Sequence, residues 1–227
     1  MMKETFDSDN RLIVNGMILK HRPVGEYDFA VTILTMERGK ISAFARGARK
    51  PGGKLSGNVE PFCYGSFVLY EGRSSYNIIE TDIVNYFEPF RRDLEATCYG
   101  TFLLELADYY ATENSDDREL LKLLYLSLTA FTKDVFDKRL VRCVFELRAL
   151  VIDGQYPGIP YGRDYLDATK MALEHIGSAD LKNLFTFKLS DESLEELIDI
   201  TQMYRDRFVD RQLKSLDMLD VVENKGI

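Results

Sequence analysis

Between Met36 and Pro61 the chain reads MERGKISAFARGARKPGGKLSGNVEP. Six of its 29 lysines and arginines stand here: Arg38, Lys40, Arg46, Arg49, Lys50 and Lys54. Arg22 lies just upstream, and Glu37 is the one carboxylate before Glu60. Cationic side chains on a glycine-punctuated backbone can follow an irregular polyanion, which is what binding phosphates requires. A solvated loop has the same composition, so the surrounding elements must decide between the two. In KISAFARG the alternation of a strand puts Ile41, Ala43 and Ala45 on one face and Lys40, Ser42, Phe44 and Arg46 on the other. Phe44 would then be an aromatic on a cationic face, a platform on which bases could stack, with Tyr27 a second such aromatic. An offset of the register by a bulge would instead put Phe44 in the core, and the pattern leaves both readings open.

Other chemistry is scarce. Cys63, Cys98 and Cys143 are far apart and form no C-x-x-C pair, and there are two histidines, His21 and His175. Free, buried thiols are the plain expectation. A Cys63 nucleophile would need His21 as its base, and Cys63→Ala would then abolish function. The sequence has no phosphate-binding G-x-x-x-x-G-K-[ST] loop, G-x-G-x-x-G, G-x-S-x-G or H-E-x-x-H. Glu105/Asp108 and Asp116/Asp117 read as surface charges. We expect no catalytic residue, no metal site and no cofactor.

Composition bounds the rest. The chain has 227 residues, 45% apolar and 29% charged, with room for a sizeable core. The net charge of −8 is uneven: residues 1–92 hold 13 Lys/Arg against 11 Asp/Glu, whereas residues 93–227 hold 16 against 26. Any polyanion surface is therefore confined to one face, and its binding should be sensitive to salt. No run approaches a membrane span, and the polar start MMKETFDSDNR lacks the apolar stretch of a secretory signal. Cytoplasmic residence is the expectation.

Five segments before residue 88 read as strands: RLIVNGMILKHRP, YDFAVTILTMERG, KISAFARGARK, CYGSFVLYEGR and SSYNIIETDIVNYF. So few short strands suit a closed oligonucleotide-binding (OB) barrel, with LSGNVEPF supplying a short helix or turn between the third and fourth. Glu88-Pro89 marks a boundary, after which the period becomes helical. Helices are predicted over 91–112, 118–133 and 137–153, the last stopped by Gly154. QYPGIPYG cannot be helical. Shorter helices follow over 165–176 and 180–184, and a last one runs from Ser190 or Asp191 to about Leu213. The expected organisation is α+β: a flexible lead-in over 1–10, a five-stranded OB-fold barrel over 11–88, and a helical bundle over 89–227.

From about Arg11 to Gly72 the chain resembles the RecO family of DNA repair and recombination mediators. GMILKHRPVGEYDFAVTILTMERGKISAFARGARKP carries the likeness, with its E-x-D-x-x-V-T-x-x-T-x-E-x-G-K core, followed by LSGNVEPF and the LYEGR turn. FELRALVIDGQYPGI and LKSLDML resemble the family's helical half more loosely. The resemblance implies a non-enzymatic protein that binds single- and double-stranded DNA and anneals complementary strands. It would act with a RecR partner to load the recombinase RecA onto DNA coated by single-strand-binding protein, which makes nucleoid association the expectation. It also implies that Arg38, Lys40, Arg46, Arg49, Lys50 and Lys54 contact DNA. A basic-rimmed pocket near Arg139, Arg142 and Arg148 would receive the acidic tail of single-strand-binding protein. Many relatives carry a four-cysteine zinc module after the position of Gly154, where this chain has QYPGIPYGRDYLDATK and no cysteine. A different class of function, an OB-type adaptor whose basic loop binds an acidic protein partner, fits the same window.

Overall fold

A computed structural model describes residues 10–225 apart from 74 and 134. Residues 1–9 of the expected lead-in lie outside the described residues. Five strands, β1 (Arg11–Val24), β2 (Asp28–Thr35), β3 (Gly39–Ala45), β4 (Tyr64–Glu71) and β5 (Tyr76–Asn85), close into a barrel in the order β1-β2-β3-β5-β4. All pairings are antiparallel except β3 with β5, which run parallel through Ala43↔Tyr76 and Phe44↔Asn77. This order is that of an OB fold, the architecture expected from the sequence.

The barrel core is built by the alternation. Val14, Ile18, Val31, Ile33, Ile41, Ala43, Ala45, Phe67, Leu69 and Ile78 point inward and are buried. Residues 46–62 form no helix; they are a chain of turns closed by Lys50 N–H to Gly47 O, Gly53 N–H to Lys50 O and Ser56 N–H to Gly53 O. Ala48, Leu55 and Val59 of this stretch join the core.

Seven α-helices follow: α1 (Pro89–Arg92), α2 (Leu94–Tyr110), α3 (Arg118–Phe131), α4 (Lys138–Ile152), α5 (Asp167–Ser178), α6 (Asp191–Phe208) and α7 (Lys214–Lys225). The chain divides into two compact units, and the division is not a single cut near Glu88. Ala111–Leu121 belongs with the barrel, while Glu88–Tyr110 and the residues from Lys122 onward form the helical unit. Within the barrel unit this segment lies along the β2–β3 turn: Lys40 N–H donates to Thr112 O, and Asn114 N–H donates to Arg38 O. The Asp117 carboxylate accepts from Thr112 N–H and from the Ser115 hydroxyl, fixing the segment on itself.

The helical unit is ordered by caps and a central helix. Asp137 caps α4 by accepting from Arg139 N–H, and Ser190 caps α6 by accepting from Ser193 N–H. Past the end of α4, Gly154 has φ +77° and Gln155 N–H bonds Leu150 O, a left-handed stop that favours glycine. The expected last helix ends at Phe208, short of Leu213, and a further helix that was not expected follows: α7 begins where the Glu105 carboxylate of α2 accepts from Lys214 N–H, Ser215 N–H and the Ser215 hydroxyl. Burial alone would raise the Glu105 pKa, but these Ser215 and Lys214 hydrogen bonds outweigh it and hold the carboxyl below the usual range. Asp108, expected at the surface, is buried and lies 3.7 Å from Arg211.

Candidate nucleic-acid interface

The surface of interest is the outer face of β1, β2 and β3, and a bulge in β1 makes it. Through Ile18 the inward residues of β1 are the even-numbered Val14, Gly16 and Ile18. Strict alternation would then drive Lys20 and Arg22 into the core. Instead Ile18 pairs with Ile33 and Lys20 with Thr32, leaving Leu19 as the extra residue. Beyond the bulge the parity is reversed. His21 aligns with the core residue Val31, while Lys20 and Arg22 turn outward and are exposed.

Two rows of side chains result. Arg22, Ala30 and Phe44 align across three strands, as do Lys20, Thr32 and Ser42. With Ser75 from the β4–β5 turn they line a cleft of about 300 Å³. Phe44 is on the outer face, half-exposed, so the alternation read from KISAFARG holds and no bulge returns this ring to the core. Arg46, exposed, donates through Nε to Asn77 Oδ1 at 3.1 Å, beside the Phe44↔Asn77 pair.

The turn between β1 and β2 closes one side of this surface. Arg49 N–H donates to Tyr27 O, and an Arg49 guanidinium N–H donates to Gly25 O. The Lys50 ammonium sits 5.1 Å from the Tyr27 ring centre, and the Arg49 guanidinium 5.8 Å from that of Phe29. His21 stacks on Phe29 with centroids 4.1 Å apart and 10° between planes. Glu60 lies 3.5 Å from His21 Nδ1, and Glu37, at the far end of β3 beside Arg38, accepts from both nitrogens of Asn15.

The six cations of the basic window therefore do not form one patch. Arg46 lies beside the Phe44↔Asn77 pair, while Arg49 and Lys50 lie at the β1–β2 turn, on Phe29 and Tyr27. Lys40 lines an adjoining cleft that also holds Arg73, Glu71 and Glu113, so charge there is mixed. Arg38 stands at the other end of β3 from Arg46, about 25 Å away at roughly 3.3 Å per residue. Lys54 is exposed and lies 3.6 Å from Glu80. Lys20 was not expected in the site, and Arg22 was noted only as lying upstream of the basic window. The available signal was that two cations cannot occupy the inward positions that unbroken alternation assigns them.

In the helical unit, α4 is buried on every side from Leu140 to Leu150, and its charges are interior. Arg142, 3% exposed, lies 3.4 Å from Glu146 and 2.8 Å from Glu223. Burial disfavours its charge, but Glu146 and Glu223 outweigh this and raise its pKa. Arg205 donates to both oxygens of Glu146. Arg148 donates to the carbonyls of Ile176 and Gly177 at the end of α5. Arg139 is held by Asp137 and Glu195. These arginines do not make the open basic rim expected of them. The thiols are interior too: Cys63 is fully buried and donates to Gly57 O, and burial pushes the Cys143 thiol up to about 11. Among the described residues no helix is long and apolar enough to cross a membrane.

A closed barrel in OB order, with an aromatic-bearing cationic face and a helical unit after it, places the chain in the class of OB-fold proteins. Residues 11–87 match the family model described as recombination protein O N terminal, and residues 91–159 match the one described as recombination protein O C terminal. Similar chains include the DNA repair protein RecO of Acetivibrio thermocellus, 28% identical over 94% of this chain and 98% of that one. That of Alkaliphilus metalliredigens is 34% identical over 63% of this chain and 58% of that one, and that of Bacillus subtilis 25% over 92% and 94%. The chain belongs to the RecO family of DNA repair proteins.

Proposed function

We propose that the chain is a non-enzymatic recombination mediator that binds DNA across the outer face of β1, β2 and β3. It binds single and double strands, anneals complementary strands, and with a RecR partner loads RecA onto DNA coated by single-strand-binding protein. The observation that carries the reading is that Lys20 and Arg22 share one cleft with the half-exposed ring of Phe44, Arg46 bonds Asn77 beside it, and Arg49 and Lys50 lie on Phe29 and Tyr27 at the adjoining β1–β2 turn. Guanidinium and ammonium groups neutralise phosphates, and the ring offers a stacking surface that any base can use. Nothing on the face resembles a helix fitted to a major groove, so sequence preference is slight. Arg142 and Arg148, being interior, are unsuited to hold the acidic tail of single-strand-binding protein.

Fluorescence anisotropy with a labelled oligothymidylate across a salt titration tests this. If each of these five cations neutralises one phosphate, the log–log slope is about −3.5, at roughly −0.7 per contact. Joint replacement of Arg46, Arg49 and Lys50 by Glu abolishes binding. No binding by the unaltered protein at low salt would sink the reading and favour an adaptor that uses the basic loop on an acidic protein.

A further inference from the structure

We infer that Asp28 is a positioning residue for DNA binding, an acid whose loss weakens the hold on a polyanion; the inference rests on the reading proposed above. Asp28 opens β2 and stands among the cations, and among the described residues no Lys or Arg comes within ion-pair distance of it. Charge alone makes such a carboxylate a hindrance to phosphate binding. Its geometry says otherwise. Asp28 Oδ1 accepts the Gly47 N–H at 2.8 Å, across from β2 to the residue that directly follows Arg46.

Gly47 is where the chain leaves β3 and turns, with φ +68°. From this residue the turn is handed on, because Gly47 O accepts from Lys50 N–H. Arg46 therefore precedes the tethered amide, and Arg49 and Lys50 follow it within a single turn. The other ties of this loop to the β1–β2 turn come from Arg49 itself, through Tyr27 O and Gly25 O. Among the described residues Asp28 is thus the one carboxylate that ties the backbone of this turn to the barrel. Binding to a loop already held in place avoids the ordering cost that a loose loop would incur.

Charge and geometry predict opposite signs, so three variants decide. Asp28→Asn removes the charge but keeps an acceptor oxygen at the same reach. Asp28→Glu keeps the charge but misplaces the acceptor. Asp28→Ala loses both. With labelled oligothymidylate at low salt, Asp28→Asn binds as tightly as the unaltered protein or tighter. Asp28→Ala and Asp28→Glu bind about fivefold weaker than Asp28→Asn, the loss expected from a disordered loop. Hydrogen exchange at the Gly47 amide accelerates in Ala and Glu and stays slow in Asn. Arg46→Ala reports on the face alone. Unchanged binding in Arg46→Ala overturns the face and this role with it. Weakened binding in Arg46→Ala, with Asp28→Ala as tight as Asp28→Asn, overturns the role of Asp28 and leaves the face standing.

Discussion

Arginines have opposite fates in the two units. On the barrel, Arg22, Arg46 and Arg49 stand in solvent, Arg22 in the cleft of Phe44, Arg46 against Asn77 and Arg49 against Phe29. In the helical unit, Arg142, Arg148 and Arg205 are interior and take up carboxylates and carbonyls. The difference lies in what surrounds each guanidinium. A buried charge must be paired where it sits, because removing it from water costs several kcal/mol. An exposed one keeps its hydration and stays available to a ligand that can displace that water. Counting arginines along the chain says nothing about which kind each one is.

The sharpest way to break this contrast is Arg142→Ala. It leaves Glu146 and Glu223 without their shared partner, at a cost of about 3–5 kcal/mol, and calorimetry should show the loss. If Arg142 is purely architectural, affinity of the folded variant for oligothymidylate stays unchanged; weakened affinity would erase the distinction between the two groups. Next in size is Phe44→Ala, expected to lower single-strand affinity by about 1–3 kcal/mol with no change in the salt slope, since a stacking contact releases no counterion. A changed slope would mean that the ring acts by positioning cations.

The smallest effect concerns Glu105, a buried-side carboxylate in the same helical unit as Arg142. Its pKa is lowered in the folded protein, so the stability it confers is present above the ordinary Glu value, about 4.3, and is lost as pH falls through the folded value. Glu105→Gln should flatten that acid limb of a pH–Tm profile and cost on the order of 1 kcal/mol at neutral pH, the size of a helix cap. An unaltered acid limb would show that α7 is held by its apolar contacts alone.

Much of the barrel was legible because strands announce themselves locally. Val, Ile, Phe and Tyr runs between Gly, Pro and Asn gave all five strands, while KISAFARG left two positions open for Phe44 and the register of β3 against β2 chose the outward one. What escaped was the bulge at Leu19, which rests on how β1 meets β2 and so has no signature in β1 alone. In the helical unit, Ser190, Asp137 and Gly154 marked ends correctly because caps and stops act within a few residues. The early end of α6 and the existence of α7 were hidden because Glu105, which caps α7, is more than a hundred residues away. Arg142 was set at a basic rim by the family likeness, which carries no information on enclosure, and α4, packed by α2, α5 and α6, buries it.

By itself the sequence determined the five strands and the helices that follow them as far as α6, the family likeness, and the fact that cations cluster in one glycine-rich window. Each depends on periodicity or on residues close together in the chain. Tertiary structure alone decided which cations share a surface. It brought Lys20 and Arg22 to Phe44, sent Arg38 to the far end of the strand, paired Lys54 with Glu80, and gave Asp28 the Gly47 amide to hold. Strand register and enclosure set those outcomes, and both are properties of partners distant in sequence.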